Sequence, residues 1–119
     1  MDTEHVRVRV APYQARPGRR VLVALDLADL QGPVSGTVEL PLRLFWSGVG
    51  RTFDLAGSGT RQWVYETVLQ GASRPEDLTR FLNGDTLVAL WPQLFLPRGV
   101  RMAWEDEHPV LRATAAAAI

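Results

Sequence analysis

Polar and apolar residues alternate one by one over the first part of the chain and then give way to apolar spacings of three and four, the change falling near residue 53. His5 to Val10 alternates strictly. Val6, Val8 and Val10 lie to one side and His5, Arg7 and Arg9 to the other, which is the period of a half-buried strand. Ala11 to Gly18 carries two prolines and a glycine and reads as a loop. Val21, Val23, Leu25 and Leu27 resume the alternation in a second strand, which Gln31-Gly32-Pro33 breaks. A third strand is predicted over Thr37 to Trp46, with Val38, Leu40, Leu42 and Leu44 on one face. Pro41 lacks a ladder donor, which puts this strand, or that end of it, at an edge or a bulge. Ser47 to Gly50 then turns into a short strand ending near Leu55.

Beyond Ala56-Gly57-Ser58-Gly59 the period becomes helical, with Ser58 or Thr60 placed to cap the first turn. Trp63, Val64, Val68 and Leu69 repeat at three and four as far as Gln70, and Gly71 supplies a stop. Ser73-Arg74-Pro75-Glu76 has the form of a capping box with proline in the first turn, predicting a second helix from Ser73 that buries Leu78, Phe81 and Leu82. Asn83-Gly84 ends it, and Asp85 is placed to cap a third helix carrying Leu87, Val88, Leu90 and Trp91, which Pro92 ends or kinks. Pro97 suits the first turn of a fourth, where Val100, Ala103 and Trp104 share a face and His108-Pro109 closes the helix. Residues 110–119 carry no capping signal and read as a frayed tail. The expectation is a single α+β domain over residues 1–119. A small N-terminal antiparallel sheet of three to four strands (1–55) packs against a C-terminal cluster of about four short helices (58–106).

Composition narrows the chemistry. There is no cysteine, which excludes disulfides, thiolate metal sites and a cysteine nucleophile and is compatible with a reducing compartment. No stretch of about 18 apolar residues occurs, and the opening MDTEHVRVRV has no apolar run, so the expectation is a soluble cytoplasmic protein without a membrane partner. Thirteen acids balance thirteen bases, so whole-chain charge steers toward neither nucleic acid nor membrane. All the bases are arginine, which a GC-rich coding bias explains without function. Their distribution is local: Arg7, Arg9, Arg16, Arg19 and Arg20 fall between His5 and Leu25 with no acid among them.

Two candidate sites follow from different classes of function. The first strand would show Arg7 and Arg9 from one face, roughly 7 Å apart by strand rise, near the phosphate repeat of a nucleic acid strand. With Arg16, Arg19, Arg20 and the stacking aromatic Tyr13 these residues form a candidate nucleic-acid face. The second candidate is a protein interface. Trp46 follows Phe45 on a strand, so the two rings point to opposite faces and one needs separate cover. Trp91 and Trp104 add aromatic anchors, and Glu105, Asp106 and Glu107 form a charged rim beside Trp104. Acids at a helix C-terminus oppose its dipole, so an arginine, Arg101 or one from elsewhere, is expected to offset them. If Trp46, Trp91 and Trp104 were all buried, this second candidate would lose its support.

Signals for catalysis are weak. His5 and His108 stand outside any metal-binding spacing and read as surface residues, the 105–108 run lacks the glycine and alternating ligands of a calcium loop, and no serine has a G-x-S-x-G elbow. Gly57-Ser58-Gly59-Thr60 lacks the lysine of a phosphate-binding loop and reads as a connector. No catalytic residue, metal or cofactor is expected.

Leu44-Phe45-Trp46-Ser47, Phe53-Asp54-Leu55, Val64-Tyr65-Glu66 with Val68-Leu69, Leu90-Trp91, Leu96-Pro97, Val100-Arg101 and Ala103-Trp104 together form a pattern over about half the chain. In these residues the chain resembles a group of short, uncharacterised actinobacterial proteins. That resemblance implies a bacterial cytoplasmic setting, in mobile or defence-like gene neighbourhoods, and a regulatory, antitoxin-like role; it carries no activity over, and residues 1–43 lie outside it. The combined expectation is a non-enzymatic adaptor or regulator that binds a protein partner, the alternative being a nucleic-acid-binding module. Association of identical copies is compatible with either.

Overall fold

In a computed structural model of the chain, the described residues are 7–16, 19–42, 44 and 52–117, the side chains of residues 16 and 19 excepted. Among these residues four strands precede five helices: β1 (Val8–Arg16), β2 (Arg19–Ala24), β3 (Thr37–Glu39), β4 (Thr52–Asp54), α1 (Ser58–Gly71), α2 (Pro75–Phe81), α3 (Gly84–Leu90), α4 (Arg98–Glu107) and α5 (Pro109–Ala117). The fold is α+β as expected. Its strands, however, form two separate antiparallel ribbons, β1 with β2 and β3 with β4, in place of one sheet of three to four strands.

The first ribbon departs from the simple alternation for a local reason. β1 continues through Ala11 to Arg16, where a loop was expected, and the pairing Val10 with Leu22 gives way to Gln14 with Arg20, so β1 carries extra residues across Pro12. Proline cannot donate to the ladder, and a bulge absorbs it. The irregularity re-aims the side chains: Ala11 and Ala15 are buried, whereas Val10 is 54% exposed. In β2, Val21 to Ala24 are all buried, so both faces of that strand are covered. The strand stops at Ala24 because the Asp26 carboxylate accepts from the Ala28 amide (2.9 Å) and initiates a 3₁₀ turn over Leu27–Asp29. β3 is only three residues long, and at Pro41 the chain turns, its carbonyl accepting from Leu44 N at 2.9 Å.

Helix boundaries follow the capping chemistry with shifts of one or two residues. α1 takes Gly57 as its N-cap, so neither Ser58 nor Thr60 occupies that position. α2 begins at Pro75, and the carboxylate that serves its N-terminus is Asp77, not Glu76: Oδ2 accepts from the amides of Ser73 (3.0 Å) and Arg74 (3.1 Å). α3 is capped by Asn83, whose Oδ1 accepts from Thr86 N, while Asp85 sits within its first turn. Pro92 ends α3 in a 3₁₀ turn over Trp91–Gln93. The predicted frayed tail is instead α5 as far as Ala117, for Pro109 starts it, Leu111 is fully buried, and the alanines that follow are the best of helix formers.

One apolar cluster joins the two halves, taking Val21, Val23 and Ala24 from β2, Val64, Tyr65 and Val68 from α1, Leu78 from α2, Leu87 from α3, and Trp104 from α4. α4 lies close against β1, since a Cβ placed on Gly99 would collide with the Gln14 backbone. Tyr65 adds a polar tie, its buried hydroxyl accepting from Asn83 N at 2.9 Å, and burial pushes its pKa up.

Candidate functional site

The packing of α4 against β1 brings the two candidate sites onto each other. Arg9 Nη2 meets Glu107 Oε1 at 2.9 Å, and the Tyr13 hydroxyl donates to Asp106 Oδ2 at 2.8 Å. From α5, Arg112 Nη2 meets Asp106 Oδ1 at 2.7 Å, and its Nε lies 3.9 Å from Glu105 Oε1. Glu105 also takes Arg101 at 3.5 Å and the Trp91 indole N–H at 2.9 Å. The arginines that offset the acidic end of α4 therefore come from this same chain. Asp106 is held below the usual carboxylate range, first by the Tyr13 hydrogen bond and then by that of Arg112; the Tyr13 hydroxyl is raised by the same bond and by the carboxylate's charge.

This geometry corrects several expectations. Trp91 and Trp104 are fully buried and cannot be exposed interface anchors; Arg101 lies over the Trp91 ring, 5.0 Å from its centroid. Trp46 lies outside the described residues. Glu105, Asp106 and Glu107 spend their charge on Arg101, Arg112, Tyr13 and Arg9. Of the proposed nucleic-acid face, Arg9 and Tyr13 are engaged with acids, Arg7 and Arg20 are exposed, and the side chains of Arg16 and Arg19 lie outside the described residues. His108, read as a surface residue, is 7% exposed: it stacks near Trp104, with ring centroids 5.7 Å apart, and its Nε2 lies 2.6 Å from Ala24 O. A carbonyl only accepts, so Nε2 carries the proton and ties the α4–α5 junction to the end of β2. Among the described residues no three His, Cys, Asp or Glu side chains converge as metal ligands, and no helix is long and apolar enough to cross a membrane.

Among the described residues the most exposed large apolar side chain is Phe95, at 80%. Its backbone is firmly held. Glu66 Oε2 accepts from Phe95 N at 2.7 Å, Gln62 Nε2 donates to Gln93 O at 2.9 Å and to Glu66 at 3.0 Å, and Arg101 Nη2 donates to Leu94 O at 2.6 Å. Side chains of α1 and α4 thus fix an extended segment that buries Leu94, half-buries Leu96 and turns Phe95 outward. A signal for this was present in the sequence: Leu94-Phe95-Leu96 lies between Pro92 and Pro97, too short for a helix, and in an extended segment alternate residues face opposite ways.

A second feature lies between the Leu27–Asp29 turn and α3. Leu27, Ala28, Leu30 and Val88 line a groove of about 380 Å³, rimmed by Gln31, Asn83 and Asp85. Its two walls are tied by backbone bonds, Gly84 N to Leu30 O and Gly32 N to Leu82 O, both 2.8 Å. Gly84 is required there because a Cβ would collide with Leu27 O. Comparison with protein families, curated proteins and solved structures finds no match for the chain.

Proposed function

We propose that this protein is a non-enzymatic adaptor or regulator that binds a protein partner, with Phe95 as the anchor. The observation that carries this reading is a large aromatic ring 80% exposed on a backbone held by Glu66, Gln62 and Arg101. Leaving a phenylalanine in water forgoes roughly 1.5–3 kcal/mol of burial, and holding its backbone in advance removes much of the ordering cost of docking it. Rigid aromatic anchors of this kind carry a large share of the energy in protein interfaces. The resemblance to short actinobacterial proteins adds a lean toward an antitoxin-like, cytoplasmic role. A photoreactive phenylalanine analogue at position 95, expressed in the native host, tests the reading. A discrete adduct is expected at 95, and none with the analogue at Val34, another exposed apolar position. No adduct at 95 would sink it.

Nucleic-acid binding is the second reading. It retains Arg7 and Arg20, which are exposed and have no carboxylate partner among the described residues. Binding that falls steeply between low and moderate salt would support it, and a flat response would exclude it.

A further inference from the structure

The surface carries both halves of a contact. Phe95 is a fixed apolar knob with Arg98 exposed three residues on, and the groove is a depression of mixed lining, with apolar atoms of Leu27, Ala28 and Val88 beside the polar Gln31 and Asn83 and with Asp85 exposed on its rim. Size permits the match: an apolar cavity of about 150 Å³ accepts a benzene ring, and the groove, at about 380 Å³, has room for the ring and its flanking chain. Charge is complementary as well. Neither Arg98 nor Asp85 has an ion partner among the described residues. The close approach of Gly84 to Leu27 and the two backbone bonds hold the two walls of the groove together in the free chain, which lowers the ordering cost of admitting a ring. Phe95 does not fill the groove of its own chain, as its exposure shows.

We infer that the partner of the Phe95 surface is a second copy of this chain, with Phe95 of one copy seated in the groove between the Leu27–Asp29 turn and α3 of the next and Arg98 set against Asp85. The inference rests on Phe95 being an anchor. Each copy offers one knob and one groove, so two copies either exchange knobs reciprocally or link head to tail. The contact is small and therefore transient, the class expected below about 1,200 Å² of buried surface.

Sedimentation equilibrium of the purified full chain tests this over roughly 10 μM to 1 mM, a range that brackets a weak single-anchor contact. The average mass of the native chain is expected to rise above one chain with concentration. Phe95→Ser and Val88→Arg should each weaken association by at least about tenfold. Mixing the two variants should recover a heterodimer held by one knob-and-groove contact, stronger than the self-association of either variant alone and weaker than a reciprocal native dimer, since one keeps a groove and the other a knob. Ala28→Arg, at an exposed position on the groove wall, serves if Val88→Arg disturbs the thermal melt. A native chain that stays monomeric throughout, or variants that do not complement on mixing, would overturn the inference. The adduct at position 95 separates the two readings: a mass of two identical chains supports both, a different protein supports the anchor and refutes self-association, and no adduct refutes both.

Discussion

Asp77 is fully buried, and the reason it is tolerated is visible in its oxygen, which serves the amides of Ser73 and Arg74 before α2. Asp77→Ala would leave both donors without that acceptor, a loss of about 2 kcal/mol or more, whereas Asp77→Asn keeps an acceptor oxygen and should lose less. Urea titration of the three proteins distinguishes them, and equal midpoints would contradict the cap. His108 repeats the lesson at the other end of the fold, where one N–H joins the helix junction to the Ala24 carbonyl. Residue type alone suggests a solvated histidine after an acidic run; only the approach of β2 supplies the carbonyl that buries it. Trp91 and Trp104 show the converse, since their apolar positions were readable from helical spacing, but whether the rings face a partner or the core depends on what lies across from them.

Among the elements, α4 and β1 come into close backbone approach at Gly99. Ala is the better helix former by about 1 kcal/mol, yet Gly99→Ala would drive a Cβ into the Gln14 backbone, which cannot swing away. Overpacking costs typically 1–3 kcal/mol and outweighs propensity, so Gly99→Ala should destabilise. Gly59, in the first turn of α1, has nothing within 4 Å of the corresponding position, so Gly59→Ala should be neutral or stabilising by up to about 1 kcal/mol. Thermal melts that rank the pair the other way would refute the α4–β1 approach. The helices were largely legible because proline, glycine and capping carboxylates punctuate them locally. α5 was missed because, among the described residues, its one fully buried side chain is Leu111, whose burial depends on the rest of the core. The strands were read less well. Alternation reports which residues face one side, but it does not report a bulge at Pro12 or the division of four strands into two ribbons.

For the whole molecule, the network linking β1, α4 and α5 is an exposed electrostatic latch. The Asp106 pKa is depressed in the folded chain, so its contribution is present above the unfolded carboxylate range and is lost as pH falls through the lower, folded value. Tyr13 is raised, so its contribution is present below the ordinary phenol range and is lost as pH climbs through the raised value. The difference in melting temperature between the native chain and Asp106→Asn should therefore hold steady between about pH 5 and 9, shrink below about pH 4, and diminish with added salt. A difference unchanged at pH 3 would show that Asp106 acts by packing alone. By itself the sequence determined the α+β class, the change of period near residue 53 and most helix boundaries, because those are set by neighbours within a few positions. Tertiary structure alone decided that Arg9 and Tyr13 of β1 meet the acids of α4, that Trp91 and Trp104 turn inward, and that of the alternating Leu94, Phe95 and Leu96 it is Phe95 that is left outside. Each of those outcomes depends on which side chains, distant along the chain, are brought within a few ångströms.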